Sequence, residues 1–126
     1  MKAVLQYRAT PLFRKQISAL ESAALHVTIV DETDRATFDR EMQDAEVLLH
    51  VLEPVRAATI ESAPRLRLIQ KLGIGVDTID LEAARRAGVA VCNMPGTNTR
   101  AVAELALLLM LATLRRLVTL DAETRA

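Results

Sequence analysis

The chain has 126 residues, the length of one domain with a substantial core, and 51% of them are hydrophobic. Its sixteen basic and sixteen acidic residues cancel, and neither sign forms a long block, so no surface for nucleic acid or anionic membrane is indicated. The single cysteine, Cys92, excludes an internal disulfide, and the first residues lack the apolar segment of a secretory signal. We therefore expect a cytoplasmic protein with small-molecule or protein partners, and no nucleic acid or membrane among them.

Five short apolar runs have the length and composition of buried strands. In chain order they are KAVLQY, LHVTIV, AEVLLHVL, LRLIQKL and VAVCNM. A helical pattern follows each of them. The first helix has Thr10 as its predicted N-cap and Pro11 at its first position, and its apolar spacing continues to Ala24. The fourth has Asp80 as its predicted cap and Gly88 just past its end.

The alternation of five strands and five helices predicts an α/β fold. Parallel neighbours need crossover connections, which place helices on both faces of the sheet. We predict a three-layer, doubly wound parallel sheet of five strands. The flavodoxin-like strand order 2-1-3-4-5 is the preferred arrangement.

The last helical pattern extends from about Thr99 to Leu117, and its segment Ala101–Leu114 is apolar nearly all round. This segment is shorter than the roughly 20 apolar residues that a bilayer requires, and it carries Glu104. A soluble helix of this kind is expected to be buried between layers, domains or subunits.

The segment LIQKLGIGVDTID resembles the start of a dinucleotide-binding glycine loop. The fingerprint G-x-G-x-x-G/A requires a glycine or alanine where this chain has Thr78, and it requires an acidic residue about 20 positions later that is absent. Gly73 and Gly75 nevertheless follow a strand end, where exposed N–H groups can hold a carboxylate. The alternative is a glycine turn that only allows strand and helix to pack.

Other polar residues are predicted at the same edge of the sheet. His50 ends the third strand, and Asn93 ends the fifth. Asn98 is the predicted N-cap of the last helix, whose positive end also includes Thr99. A lone histidine at a strand end is more often structural than catalytic. No metal site is predicted.

The segment KLGIGVDTIDLEAARRAGVAVCNMPGTNTRAVAE, residues 71–104, resembles the D-isomer-specific 2-hydroxyacid dehydrogenases. The similarity lies in G-x-G-x-D-x-x-D, the A-x-x-x-G helix end, N-x-P-G-x-N and V-A-E. It implies that residues 1–98 form the amino-terminal part of a flavodoxin-like substrate (catalytic) domain. It also implies that residues 99–126 form a long interdomain helix leading to a Rossmann NAD-binding domain that these 126 residues do not contain.

The resemblance also implies roles for individual residues. The substrate-binding set is Gly73, Ile74, Gly75, Asn98, Val51 and Leu52. The first three would bind the substrate carboxylate, Asn98 would lie beside substrate and nicotinamide, and the loop from Val51 to Glu53 would meet the variable end of the substrate. Thr99 and Val102 would line the side of the cofactor, which is NAD or NADP. The implied reaction is hydride transfer between NAD(P)H and a small 2-keto or D-2-hydroxy acid.

The chain also departs from the family. The catalytic arginine, glutamate and histidine of the family lie in segments that have no counterpart here, so no catalytic residue is assigned and the 126 residues alone are expected to be inactive. Phosphoglycerate-using members place arginine and serine where this chain has His50-Val51-Leu52. We therefore do not expect 3-phosphoglycerate as substrate, although His50 is a partial substitute for that cation.

The sequence also bears on three other classes of protein: a receiver domain, a flavin-binding module and a stand-alone binding module. A receiver domain needs acidic residues in the loops that here read QYRATP and HVLEP, and a flavin module needs a Ser/Thr/Gly-rich phosphate loop where this chain has RATP. Neither pattern is present. A stand-alone ligand-binding or interaction module derived from the same domain stays open. We expect a homo-oligomer, and self-association of the isolated chain through its apolar helix.

Overall fold

The computed structural model describes all 126 residues, Met1–Ala126. Strands and helices alternate along the chain as the sequence predicts. The strands are β1 (Lys2–Gln6), β2 (His26–Val30), β3 (Val47–His50), β4 (Leu68–Lys71) and β5 (Ala90–Cys92). The helices are α1 (Pro11–Ser18), α2 (Arg35–Met42), α3 (Ala57–Glu61), α4 (Leu81–Arg86), α5 (Thr99–Leu114) and α6 (Leu117–Arg125).

The five strands form one parallel sheet in the order β2-β1-β3-β4-β5, which confirms the predicted flavodoxin-like α/β arrangement. Successive side chains of each strand face opposite sides of the sheet. On one side Val4 and Leu48 pack with residues of α2, α3 and α4. On the other side Leu5 packs with Ile17 of α1. The sheet therefore has α2, α3 and α4 on one face and α1 on the other, and the carboxyl ends of its parallel strands meet at one edge.

Short polar side chains fix the beginnings of three helices. Thr10 accepts a hydrogen bond from the Phe13 N–H, Asp34 from that of Thr37, and Asp80 from that of Ala83. Gly88, just past α4, has φ of +69°, a left-handed conformation that glycine adopts without strain. These local assignments confirm the caps that were predicted at Thr10, Asp80 and Gly88.

Helix α1 ends earlier than its apolar spacing predicts. The pattern continues to Ala24, but the helix ends at Ser18. The hydroxyl of Ser22 accepts hydrogen bonds from the N–H groups of Ala24 and Leu25, both at 3.2 Å. Serine here offers the main chain an alternative to helical hydrogen bonds, so a turn replaces the last predicted turn of helix.

The chain divides into two compact units, residues 1–94 and 95–126. The second unit contains α5 and α6. The sequence predicts one helix from about Thr99 to Leu117, whereas α5 ends at Leu114 and a second helix starts at Leu117. The break lies at Arg116, whose φ of +51° is left-handed and cannot continue an α-helix.

Candidate functional site

The loop that follows β4 has free main-chain N–H groups at the carboxyl edge of the sheet. Two of its carbonyl oxygens accept hydrogen bonds: the Met94 N–H donates to Gly73 O at 2.8 Å, and Asn93 Nδ2 donates to Ile74 O at 2.8 Å. The N–H groups of Gly73, Ile74 and Gly75 make no hydrogen bond within the chain. Three consecutive free donors on a main chain tied by its carbonyls are available to an anion such as a carboxylate.

Gly73 and Gly75 have close side-chain neighbours and do not lie in a left-handed turn. Neither has a positive φ. A Cβ atom at Gly75 would lie 2.7 Å from Asp77 Oδ1, and a Cβ atom at Gly73 would lie 3.3 Å from Lys71 Cε. Both distances are shorter than ordinary contacts of a side chain, and both atoms belong to flexible side chains, so an alanine at either position requires only a small shift of Asp77 or Lys71. The two glycines therefore keep the loop close to Lys71 and Asp77.

The loop that follows β3 is held at two of its carbonyl oxygens. His50, the last residue of β3, is paired in register with Lys71, the last residue of β4. Lys71 Nζ donates to Val51 O at 2.5 Å, and His50 Nε2 lies 2.7 Å from Glu53 O. A carbonyl oxygen only accepts, so Nε2 carries the proton and donates. We call these two residues the His50–Lys71 pair. Between the two held carbonyls, the Leu52 side chain is 61% exposed.

His50 is uncharged near neutral pH. Its side chain lies in the interior, with only 3% of the residue exposed, and burial lowers its pKa from the usual 6.5 more than the Glu53 carbonyl raises it. The nearby positive charge of Lys71 lowers the pKa further. A neutral, buried imidazole supplies no positive charge, so the structure does not support the expectation that His50 partly substitutes for a phosphate-binding cation.

The other predicted residues, Asn98, Thr99 and Val102, belong to the second unit. Asn98 occupies the N-cap position of α5 as predicted, and its carbonyl accepts from the Val102 N–H at 2.9 Å. Its side chain makes no capping hydrogen bond, and the side chains of Thr99 and Val102 are exposed on the first turn. The predicted positions of these three residues beside substrate and cofactor stay predictions.

Lys71 is the residue of this region that sequence reasoning missed. The sequence patterns assign no role to Lys71, although it ends a strand directly before the glycine loop. Once the order β3-β4 is predicted, the ends of these neighbouring strands are expected to be adjacent. That adjacency was the available signal for a contact between Lys71 and the loop after β3.

Other candidate sites would be a metal site, a membrane-spanning helix or a groove. No group of three or more His, Cys, Asp or Glu side chains is placed to hold a metal ion. None of the helices has the length and apolar character that crossing a bilayer requires. An open groove between residues 54–58 and 77–80 includes neither the free N–H groups nor Leu52.

Comparison with known proteins identifies the family. The profile described as D-isomer specific 2-hydroxyacid dehydrogenase, catalytic domain, matches residues 4–126. The chain belongs to this dehydrogenase family. A glyoxylate reductase of Thermococcus gammatolerans is 36% identical over 96 residues, which cover 75% of this chain and 29% of that protein. A D-3-phosphoglycerate dehydrogenase of Mycobacterium leprae is 34% identical over 119 residues, which cover 94% of this chain and 22% of that protein.

Solved structures of the dehydrogenase family have the same fold. An NAD-dependent formate dehydrogenase from Staphylococcus aureus in complex with NAD matches 94% of this chain with a TM-score of 0.82 and 28% identity. An NAD⁺-bound 3-phosphoglycerate dehydrogenase from Entamoeba histolytica matches 89% with a TM-score of 0.76 and 25% identity. The matched regions are 40% and 38% of those two chains. The chain therefore spans less than half the length of the family members that it matches.

Proposed function

We propose that this chain is the substrate-binding part of an oxidoreductase that transfers a hydride between NAD(P)H and a small 2-keto or D-2-hydroxy acid. Membership of the dehydrogenase family supports the reaction class, and the names of the similar glyoxylate reductase and phosphoglycerate dehydrogenase support a small carboxylic acid as substrate. In this proposal the loop after β4 binds the carboxylate that all such substrates share.

The observation that carries the proposal is the set of free N–H groups at Gly73, Ile74 and Gly75. Ligands of open parallel sheets bind beyond the carboxyl ends of the strands, where this loop lies. The hydrogen bonds from Met94 and Asn93 hold the loop carbonyls, so the donors are fixed before the ligand arrives. Such preorganisation lowers the entropy that binding would otherwise cost.

The residues proposed to face the cofactor are few. When bound, the nicotinamide supplies or accepts the hydride. Thr99 and Val102 are exposed on the first turn of α5 and are proposed to contact the cofactor, and Asn98, whose side chain makes no capping hydrogen bond, is proposed to contact the substrate. No complete dinucleotide fingerprint occurs in the 126 residues, so the main contacts to the pyrophosphate are proposed to lie outside them.

The proposed substrate has a small, uncharged variable end. The loop after β3 presents Leu52 as its exposed side chain, and next to it Val51 is partly buried among apolar residues. His50 is neutral, and the ammonium group of Lys71 is directed at the Val51 carbonyl. Substrates of the size of glyoxylate, pyruvate or hydroxypyruvate fit these surroundings better than a phosphorylated acid.

Reading the gene beyond the codon for Ala126, together with an activity assay, tests this proposal. We expect an in-frame strand, G-x-G-x-x-G and helix, and we expect the full-length protein to oxidise NADH or NADPH with one of these three keto acids. The 126-residue chain is the matched control and is expected to give no turnover. A full-length protein without any such reductase activity contradicts the proposal, and turnover by the 126 residues alone contradicts the division of roles.

A second candidate is a stand-alone ligand-binding or interaction module without catalysis. The observation that favours it is the apolar helix α5, which has no buried residue. Exposed apolar surface of this extent marks contact sites in soluble proteins. A natural stop codon directly after Ala126 supports this candidate, whereas an in-frame dinucleotide-binding domain excludes it.

A further inference from the structure

The His50–Lys71 pair connects the two loops at the carboxyl edge of the sheet. Lys71 donates to Val51 O with its ammonium group, while its stem lies close to Gly73, where a Cβ atom would be 3.3 Å from Lys71 Cε. The main chain adds a further link, because the Leu72 N–H donates to His50 O at 2.8 Å. The position of the loop after β3 is therefore defined relative to the proposed carboxylate-binding loop after β4.

The burial of His50 has an energetic cost that packing alone does not explain. Its Nε2 donates to the Glu53 carbonyl, which makes Nδ1 an unprotonated acceptor, and this buried atom has no hydrogen-bond partner. An unsatisfied buried acceptor destabilises a folded protein. A leucine would fill the same space without that cost, and the Glu53 carbonyl, on an exposed residue, would then be hydrated. The imidazole is thus explained by the hydrogen bond that it makes and not by stability.

We propose that His50 and Lys71 are positioning residues that fix the loop 51–53, so that Val51 and Leu52 meet the variable end of the substrate at a set distance from its carboxylate. This inference rests on the proposed function. Neither side chain contacts the reacting atoms in this proposal. Each acts through one carbonyl oxygen, Lys71 through that of Val51 and His50 through that of Glu53. Loss of either hydrogen bond frees Leu52 and weakens discrimination between substrates of different length.

The hydrogen bond itself is tested by NMR of the imidazole nitrogens of His50 in the ¹⁵N-labelled 126-residue chain. The neutral tautomer with the proton on Nε2 is expected at pH 8. The opposite tautomer, or a rapid exchange between the two, overturns the proposal, because Nε2 would then not hold the Glu53 carbonyl. This measurement involves no substrate and no activity, so its result is independent of the proposed function.

The effect on specificity is tested in the full-length protein with His50→Leu, His50→Gln and Lys71→Met. The readout is the ratio of kcat/KM for glyoxylate, which has no side chain, to kcat/KM for hydroxypyruvate. His50→Leu and Lys71→Met are each expected to change this ratio about tenfold, the effect of one lost hydrogen bond. His50→Gln retains an N–H donor and is expected to keep the ratio close to that of the unchanged protein.

The possible outcomes separate this inference from the function on which it rests. A ratio that is unchanged in both His50→Leu and Lys71→Met overturns the inference and leaves the proposed function intact. An equal change in His50→Leu and His50→Gln also overturns it, since the donor would then be irrelevant. A full-length protein that reduces none of the keto acids contradicts the proposed function, and with it the substrate role of the loop, whatever tautomer His50 adopts.

Discussion

His50 shows how a single buried residue couples this fold to pH. Burial lowers its pKa in the folded protein, while the unfolded chain has the ordinary value of 6.5. Between these two pKa values the unfolded chain binds more protons than the folded protein does. The corresponding stability is therefore fully present above the unfolded value and is lost as the pH falls from there toward the folded pKa. The charged groups beside the ring are Lys71 and Glu53.

We expect the free energy of unfolding to decrease because of His50 as the pH falls through and below 6.5, the ordinary pKa of histidine. His50→Leu removes the titrating group and is expected to flatten this part of the profile, while its stability at pH 7.5 stays within about 1 kcal/mol of the unchanged chain. Urea denaturation at a series of pH values measures the pH dependence and the stability at pH 7.5 of each protein. The other histidine, His26, is present in both proteins, so their difference isolates His50. If the unfolding free energies of the unchanged chain and of His50→Leu depend on pH in the same way, His50 is not the titrating group.

At the scale of the element, the connection from the glycine loop into α4 depends on Asp80. Its Oδ1 accepts from the Ala83 N–H at 2.8 Å, and its own N–H donates to Val55 O at 2.9 Å. The second aspartate of the G-x-G-x-D-x-x-D motif is thus a helix cap, which fixes where α4 begins relative to the proposed carboxylate site. The first, Asp77, lies against Gly75.

Asp80→Ala is expected to lower the free energy of unfolding by about 1 kcal/mol, because the first turn of α4 loses its side-chain acceptor. Asp80→Asn is the matched control, since its amide oxygen still accepts from Ala83, and it is expected to lose less than half as much. Urea denaturation at neutral pH compares the two variants. Equal stabilities of the alanine and asparagine variants would show that the capping bond does not stabilise the helix.

The elements that depend on local signals were predictable, and those that depend on distant contacts were not. Caps at Thr10 and Asp80 follow from the chemistry of neighbouring residues, and the parallel sheet follows from short apolar runs joined by crossovers, with 2-1-3-4-5 as the preferred strand order. The end of α1 depends on the Ser22 hydroxyl, which competes with the helix in a way that apolar spacing does not reveal. The His50–Lys71 pair depends on strand register, which a sequence pattern determines only after the fold is known.

At the scale of the whole molecule, the second unit has an unusual surface. Helix α5 combines an apolar sequence with exposure along its entire length, and the exposed side chains include Leu105, Leu107, Leu108, Leu109 and Leu111. The sequence predicts that this helix is buried between layers, domains or subunits. The 126 residues do not bury it, and an apolar helix in water lowers its free energy by associating with another apolar surface.

We expect the 126-residue chain to self-associate through α5 in a concentration-dependent manner. The double variant Leu108→Glu/Leu111→Glu places charges on this helix and is expected to shift the chain toward monomer. Leu12→Glu is the control, because Leu12 is also an exposed leucine but lies on α1 of the first unit. Sedimentation velocity over a range of concentrations measures the association state of the unchanged chain and of both variants. A clean monomer of the unchanged chain at high concentration contradicts this expectation.

The central claim is that the free N–H groups of Gly73, Ile74 and Gly75 bind the carboxylate of a keto acid. Titration of the ¹⁵N-labelled chain with glyoxylate, followed by amide NMR, tests it most directly. Saturable shifts at these three amides are expected with glyoxylate and not with glycolaldehyde, which is of similar size but has no carboxylate, and the amide of Gly88 serves as an internal control. Absent shifts at residues 73–75, or equal shifts with both compounds, would contradict the proposed site.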